Sequence, residues 1–372
     1  MLVLGLLLLT AGAEFLVRSA SRLASAAGIS PLVVGLTVVA YGTSAPELVV
    51  SIQATLDGQP DLALGNVVGS NIFNVLFILG VSAMIVPLRV SQQLIRFDVP
   101  LMVFLSFMVL LFAVDGRIGR FDGLILTSGL IVYTISAIVT SRRERADITA
   151  EYAAAFGLAA NGFGIRATLA NAALLVAGLG LLILGSRWFV AAAVIIARNI
   201  GVSELLIGLT IVAAGTSLPE VATSILAAVR GERDIAVGNV VGSNLFNIMA
   251  VLGISGLISA DGVAVSQAAF RLDIPVMIAV AVACMPIFFT GHLIARWEGV
   301  LFLGYYCAYT ASLVLSATDP SLQRTFGFVM LGGVLPLTVI TLLTGVIRTI
   351  RAGPDAASSG NPRLRDEGAM TR

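Results

Sequence analysis

From its first residue to about position 347 the chain alternates long apolar runs with short polar or glycine-bearing breaks. A helix rising about 1.5 Å per residue needs about 20 apolar residues to cross the roughly 30 Å hydrocarbon core of a bilayer, and the runs have that length. They predict helical spans at about 1–25, 31–57, 62–86, 98–114 and 122–140. A second set falls at about 168–198, 204–229, 235–259, 273–290 and 297–317, and an eleventh run covers about 325–347. A polar stretch, SRRERADITAEY and onward to Arg166, separates the two sets and is expected to be partly helical. The final stretch, AGPDAASSGNPRLRDEGAMTR, has no apolar periodicity and is expected to be disordered. The fold class is an all-α polytopic membrane protein. The opening MLVLGLLLLTAGA lacks the basic residues that precede a signal peptide's apolar core and has an internal counterpart at 168–190, so it is read as a span.

The second set repeats the first. A shift of 173 residues aligns Gly28–Gly80 with Gly201–Gly253 without a gap, and 30 of the 53 positions are identical. Weaker likeness continues outward: Gly12 with Gly185, RFDVP at 96–100 with RLDIP at 271–275, FDG at 121–123 with WEG at 297–299. Five spans per unit is an odd number, so the units are expected to lie upside down relative to each other, as in many secondary transporters. The expected division is a first five-helix repeat at 1–141, a cytoplasmic connector at 142–166, an inverted second repeat at 167–318, an extra transmembrane helix at 319–350 and a cytoplasmic tail at 351–372.

Composition sharpens this picture. Hydrophobic residues make up 58% of the chain and charged ones 12%, against about 25% charged in an ordinary soluble domain. All 22 basic residues are arginine. With the amino terminus outside, 16 arginines fall on the inner side and 5 on the outer, Arg187 lying mid-span; this satisfies the positive-inside rule and puts the carboxyl terminus in the cytoplasm. The arginine run at 142–145 reads as a topology and lipid-headgroup signal, with no nucleic-acid partner expected. Cys284 and Cys307 lie in apolar segments and read as small core residues outside any disulfide framework.

Within these apolar runs stand GTSAPE at 42–47 and GTSLPE at 215–220. A carboxylate at bilayer depth costs on the order of 3 kcal/mol on insertion scales, and a mid-helix proline about as much. Pro46 and Pro219 cannot donate to the carbonyls of Gly42 and Gly215, so each frees backbone oxygens at depth. Thr43, Ser44, Glu47 and Ser51 share a helical face, as do Thr216, Ser217, Glu220 and Ser224. The next span of each unit adds GNVVGSNIFN or GNVVGSNLFN, with Asn66, Ser70, Asn74 and Asn239, Ser243, Asn247 at intervals of four. These are hard oxygen donors without a His or Cys cluster, a set suited to Na⁺ or Ca²⁺. Two carboxylates carry −2, neutralised by one Ca²⁺ or by two or more Na⁺.

These paired motifs, GLTVVAYGTSAPE with GNVVGSNIFN and GLTIVAAGTSLPE with GNVVGSNLFN, resemble the cation/calcium exchanger superfamily, most closely the prokaryotic sodium/calcium exchangers. The resemblance implies that Glu47 and Glu220 are the central calcium ligands. It implies that Thr43, Ser44, Ser70, Thr216, Ser217 and Ser243 supply sodium and calcium ligands, with Asn74 and Asn247 completing the cluster. It also implies that the first and sixth helices slide past a core formed by the others. Two departures stand out: Asn247, where potassium-dependent members of the superfamily carry aspartate, and the eleventh span, which the ten-helix family core lacks.

The function expected is a multi-pass inner- or plasma-membrane antiporter exchanging Ca²⁺ for Na⁺ by alternating access, with those ions and the lipid bilayer as partners and without a cofactor. A Ca²⁺/H⁺ or other cation exchanger is the alternative in the same class, and a cation channel the alternative in another. An intramembrane hydrolase using Ser44 or Ser217 lacks a nearby histidine or lysine base. Interhelical hydrogen bonding is an alternative role for Asn66, Asn71, Asn239 and Asn244. Glu14 and Arg187, equivalent in the two units, are expected to form a packing salt bridge, with gating the other reading. Asp98, Asp273, Asp61 and Asp234 read as helix caps, and His292 as a solvated loop residue.

Overall fold

The computed structural model describes residues 1–27, 29–156, 165–201 and 213–352. Within them the chain is helical almost throughout. The helices are α1 (Leu2–Ala27), α2 (Pro31–Thr43), α3 (Ala45–Leu56), α4 (Leu62–Ile85), α5 (Leu94–Asp115) and α6 (Arg120–Phe156). They continue as α7 (Ile165–Asn199), α8 (Leu218–Val229), α9 (Arg233–Ile258), α10 (Ala269–Phe289), α11 (Arg296–Thr318) and α12 (Ser321–Ile347). Among the described residues nine helices are long and apolar enough to cross a membrane, and ten if the bent pair α2 and α3 counts as one span. The early part of the seventh apolar run, residues 202–212, and the polar tail beyond 352 lie outside the described residues. The connector is helical on both sides of residues 157–164, since α6 runs on to Phe156 and α7 starts at Ile165.

Burial separates two classes of helix. The candidate spans α4 and α9 are largely enclosed, whereas α12 presents almost its whole length outward. Helices α1 and α7 run antiparallel against each other on a stripe of glycine. A Cβ at Gly5 would lie 2.7 Å from the Phe189 nitrogen, one at Gly12 2.8 Å from the Gly178 carbonyl, and one at Gly185 2.9 Å from the Gly5 carbonyl. Without side chains at these points the two backbones touch directly, the packing mode that replaces hydrophobic exclusion inside lipid.

The glycines of FDG and WEG have the same use. Gly123 of α6 meets the Gly253 carbonyl of α9, and Gly299 of α11 meets the Gly80 carbonyl of α4, with would-be Cβ distances of 2.5 and 2.6 Å. Two short strand pairs link the halves as well. Leu88–Arg89 pairs antiparallel with Leu293–Ile294, and Arg117–Ile118 with Val263–Ala264. Each pair joins a loop of one half to the loop of the other half that is not its sequence counterpart.

Asp98 and Asp273 do not cap helices. Each sits in a π-helical turn before its proline, and its carboxylate accepts a hydrogen bond from a tyrosine on a later helix: Tyr133 to Asp98 at 3.0 Å and Tyr309 to Asp273 at 2.9 Å. Asp234 lies in the first turn of α9, which has no side-chain cap. The side chain of Asp61 lies outside the described residues. Cys284 is buried as expected, but Cys307 on α11 is exposed. His292 is exposed in its loop, as its polarity predicted.

Candidate functional site

The helix carrying GTSAPE breaks at the motif. Proline has no N–H to donate to the carbonyl four residues back, and its ring crowds that carbonyl. Accordingly α2 ends at Thr43, Ser44 takes φ −84° and ψ 8°, and α3 restarts with Pro46 in its first turn at 45° to α2. The break means that Thr43 and Ser51 do not lie on one continuous helical face. It also puts Glu47 in the first turn of α3, where the helix dipole favours an anion. The second motif behaves alike: Ser217 has φ −89° and ψ 9°, and Glu220 stands in the first turn of α8. One of the loosened carbonyls, that of Gly215, accepts from the Ser186 hydroxyl of α7 at 2.6 Å.

The two breaks meet, and their side chains cross. Ser44 Oγ donates to Glu220 Oε1 at 2.8 Å, and Ser217 Oγ donates to Glu47 Oε1 at 2.9 Å. Ser217 also lies 3.4 Å from Ser70 Oγ of α4, and Thr43 Oγ1 donates to Asn239 Oδ1 of α9 at 3.2 Å. Both glutamates are 1% exposed, and Thr43, Ser44, Ser70, Asn74, Ser217, Ser243 and Asn247 are buried with them. Thr216 is half-buried, with its hydroxyl oxygen enclosed. Of the predicted residues, Thr43, Ser44, Glu47, Ser70, Ser217 and Glu220 are joined by these bonds, directly or through Asn239, and Thr216, Asn74, Ser243 and Asn247 have enclosed polar atoms beside the second break or on α4 and α9.

Asn66 and Asn239 form an outer support. Asn66 Nδ2 donates to Ser51 Oγ at 2.9 Å and to the Glu47 carbonyl at 3.1 Å; Asn239 Nδ2 donates to Ser224 Oγ at 2.9 Å and to the Glu220 carbonyl at 3.5 Å. These bonds fasten each broken helix to the one after it, the interhelical role weighed above. Asn74 and Asn247 open matching π-helical turns, Asn74–Leu79 and Asn247–Leu252, a distortion frequent at functional sites. Asn74 Nδ2 donates to Asn244 Oδ1 at 3.0 Å and Asn247 Nδ2 to Asn71 Oδ1 at 3.1 Å.

What remains unpaired is informative. Among the described residues eleven buried side-chain polar atoms lack a hydrogen-bond partner, and all are oxygens. Six of them are Glu47 Oε2, Glu220 Oε2, Asn74 Oδ1, Asn247 Oδ1, Thr216 Oγ1 and Ser243 Oγ, all from the predicted set. A buried carboxylate oxygen without a partner is costly unless a cation compensates it. The amide nitrogens of Asn66, Asn74, Asn239 and Asn247 are all occupied elsewhere, so the cluster offers oxygen where it offers anything.

Glu14 does not pair with Arg187. Its Oε2 lies 2.8 Å from Nη2 of Arg230, at the end of α8, and its own helix supplies Arg18 as a second partner. One turn pair further on, Ser21 Oγ donates to Glu232 Oε1 at 3.0 Å. The sequence placed Glu14 and Arg187 at equivalent positions, but the antiparallel register sets Arg187 level with Gly5, too far along α1 to reach Glu14.

A family model described as the sodium/calcium exchanger protein matches residues 1–139 and 170–315. The putative antiporter CaxA of Alkalimonas amylolytica is 38% identical over 311 residues, covering 82% of this chain and 95% of the relative. The sodium/calcium exchanger MaX1 of Methanosarcina acetivorans is 33% identical over 341 residues, covering 84% and 97%. Among solved structures, the sodium-calcium exchanger NCX_Mj soaked with 10 mM Na⁺ superimposes with a TM-score of 0.71 at 28% identity, covering 86% of this chain and 97% of the other. The chain therefore belongs to the sodium/calcium exchanger protein family, antiporters that carry ions across the membrane.

Proposed function

We propose that the protein exchanges Ca²⁺ for Na⁺ by alternating access, with Glu47 and Glu220 holding the ion jointly, one from each of two inverted five-helix repeats. The observation that carries this reading is the set of buried, unpartnered oxygens at the crossing of the two broken helices. Ca²⁺ takes six to eight oxygens in flexible geometry. Two carboxylate oxygens, two amide oxygens and hydroxyls of Thr43, Thr216, Ser44, Ser217, Ser70 and Ser243 form such a donor set, and Na⁺ uses the same kind of oxygen. The crossed bonds, each with a counterpart in which the halves are exchanged, support the inverted repeat. Helix α12 is then an addition outside the ten-helix frame, and the arginine distribution puts the amino terminus outside.

Reconstitution in liposomes tests the reading. Uptake of ⁴⁵Ca²⁺ is expected under an outward sodium gradient and not under proton or potassium gradients of equal size. Uptake driven by protons alone would replace sodium as the counter-ion. Uptake without any counter-ion would make the protein a channel.

The alternation has a candidate latch in each half. Glu14 and Arg230 are joined; a shift of 173 residues turns them into Arg187 and Asp57, the same pair with its charges exchanged. In this conformation Arg187 and Asp57 are exposed and no ion pair joins them. Arg230 lies about 15 Å beyond Glu220 along its helix, and Asp57 about 15 Å beyond Glu47 along the other. On the α1–α7 pair, Glu14 and Arg187 are separated by only about 13 Å, because Gly5 lies between Gly185 and Phe189. The spacings differ, so one latch opens as the other closes when this pair slides. In a background with Cys284 and Cys307 changed to serine, Asp57→Cys with Arg187→Cys is expected to cross-link and stop exchange at least tenfold, reversibly with reductant. Absence of any cross-link during turnover would remove the second latch.

A further inference from the structure

Asn71 and Asn244 belong to none of the ligand sets above, yet each controls what an inner asparagine offers. We propose that Asn71 and Asn244 are positioning residues that lock the side-chain amides of Asn247 and Asn74 with their oxygens turned toward the ion. The inference rests on the cation-site reading given above.

Asn71 Nδ2 lies 3.4 Å from the Asn244 carbonyl and 3.7 Å from the Met277 sulfur. Both neighbours are acceptors without a hydrogen to give, so only the NH₂ end of the amide fits there. That choice turns Asn71 Oδ1 the other way, where it meets Asn247 Nδ2 at 3.1 Å. Since an oxygen accepts only from a donor, Asn247 must present its NH₂ to Asn71, and its own Oδ1 is left on the other side of the amide, buried and unpartnered. The mirror chain has the same logic. Asn244 Nδ2 lies 3.4 Å from the Asn71 carbonyl and 3.4 Å from the Met102 sulfur, its Oδ1 accepts from Asn74 Nδ2 at 3.0 Å, and Asn74 Oδ1 is the orphan.

The consequence is specific. An asparagine amide is nearly symmetric in shape, so packing alone does not distinguish its two orientations; hydrogen bonds do. Flipped, Asn247 would point two N–H groups at a cation that needs an oxygen. Each half therefore sets the amide of the opposite half, through α4 and α9, and the two inner ligands depend on each other's neighbours.

A double-mutant cycle tests this, because aspartate presents oxygen in either orientation. Asn71→Leu removes the acceptor that holds Asn247. It is expected to raise the Ca²⁺ concentration for half-maximal sodium-driven uptake about tenfold or more, the range seen when outer-shell partners of metal ligands are removed. In an Asn247→Asp background the same Asn71→Leu change is expected to shift it less than about threefold. In an Asn74→Asp background the full penalty is expected to return, since that ligand answers to Asn244. A packing defect would instead add equally in all three backgrounds, and that result would overturn the proposal. Should Asn71→Leu fail to fold, Asn244→Leu measured against Asn74→Asp and Asn247→Asp gives the same contrast with the partners exchanged. If Glu47→Gln leaves calcium uptake intact, the cation site itself falls; if only the Asn71 and Asn244 cycles are additive, the site stands and the orienting role falls.

Discussion

Glu47→Gln and Glu220→Gln are each expected to lower sodium-driven ⁴⁵Ca²⁺ uptake by a hundredfold or more, and by similar factors. Each change keeps size and shape but removes one of the two charges proposed to balance a divalent ion. Even at an effective dielectric of about 20, a pair of unit charges 4 Å apart is worth about 4 kcal/mol, and a divalent partner doubles that. A hundredfold loss needs only about 2.7 kcal/mol of it. The likeness of the two effects is the more searching part. The glutamates have matching surroundings: each lies in the first turn of a helix that follows a break, each has one oxygen bound by the serine of the opposite motif, and each has the other oxygen free. A protein in which one glutamine variant is silent and the other transports at more than half the normal rate would not use a shared site.

The parts of this molecule that the sequence discloses are those that lipid makes expensive. Carboxylates, prolines and asparagine rows in apolar runs stand out because each is penalised there, and their duplication at a fixed shift identifies the motifs and the family. Nine spans among the described residues, ten with the bent pair, follow from length and hydropathy. Partnership across the halves was hidden. Ser44 bonds to Glu220 and Ser217 to Glu47, although each serine has a glutamate three residues away in its own motif. Nothing in a local window distinguishes those choices, since the break that turns the serine outward becomes visible only when the second helix is in place. Asp98 shows the same limit. An aspartate two residues before a proline fits a helix cap, and the tyrosine that binds it stands 35 residues later on another helix. The strand pairs are two residues long and unite loops more than 140 residues apart, too short to leave a periodic signal. The glycines of the two asparagine rows suggest close helix approach, yet only Gly238 and Gly242 meet a neighbouring backbone, while a Cβ at Gly65 or Gly69 would meet nothing within 4 Å among the described residues.

Gly242→Val is expected to abolish exchange and to lower the thermal stability of the purified protein, although Gly242 supplies no ligand. A Cβ at this position would lie 2.4 Å from the Leu36 carbonyl oxygen and 2.6 Å from the Leu36 Cα. Both are backbone atoms of α2, so no rotamer change relieves the overlap and the helices must separate. Overpacking a tight interior costs about 1–3 kcal/mol when side chains can yield, and more when they cannot. The separation would act where α2 approaches its end. Seven residues beyond Leu36, Thr43 donates to Asn239 of α9, and Ser44 then reaches Glu220. The Thr43 bond spans the same α2–α9 contact and the Ser44 bond reaches α8 from the next residue, so displacing α2 from α9 breaks the first and pulls on the second. Gly304→Ala on α11 is the control, because its Cβ would meet nothing within 4 Å among the described residues. It is expected to leave both transport and stability close to normal. The reading fails if Gly242→Val keeps wild-type uptake, for then α2 and α9 tolerate separation and the crossed serine–glutamate bonds do not depend on their close approach.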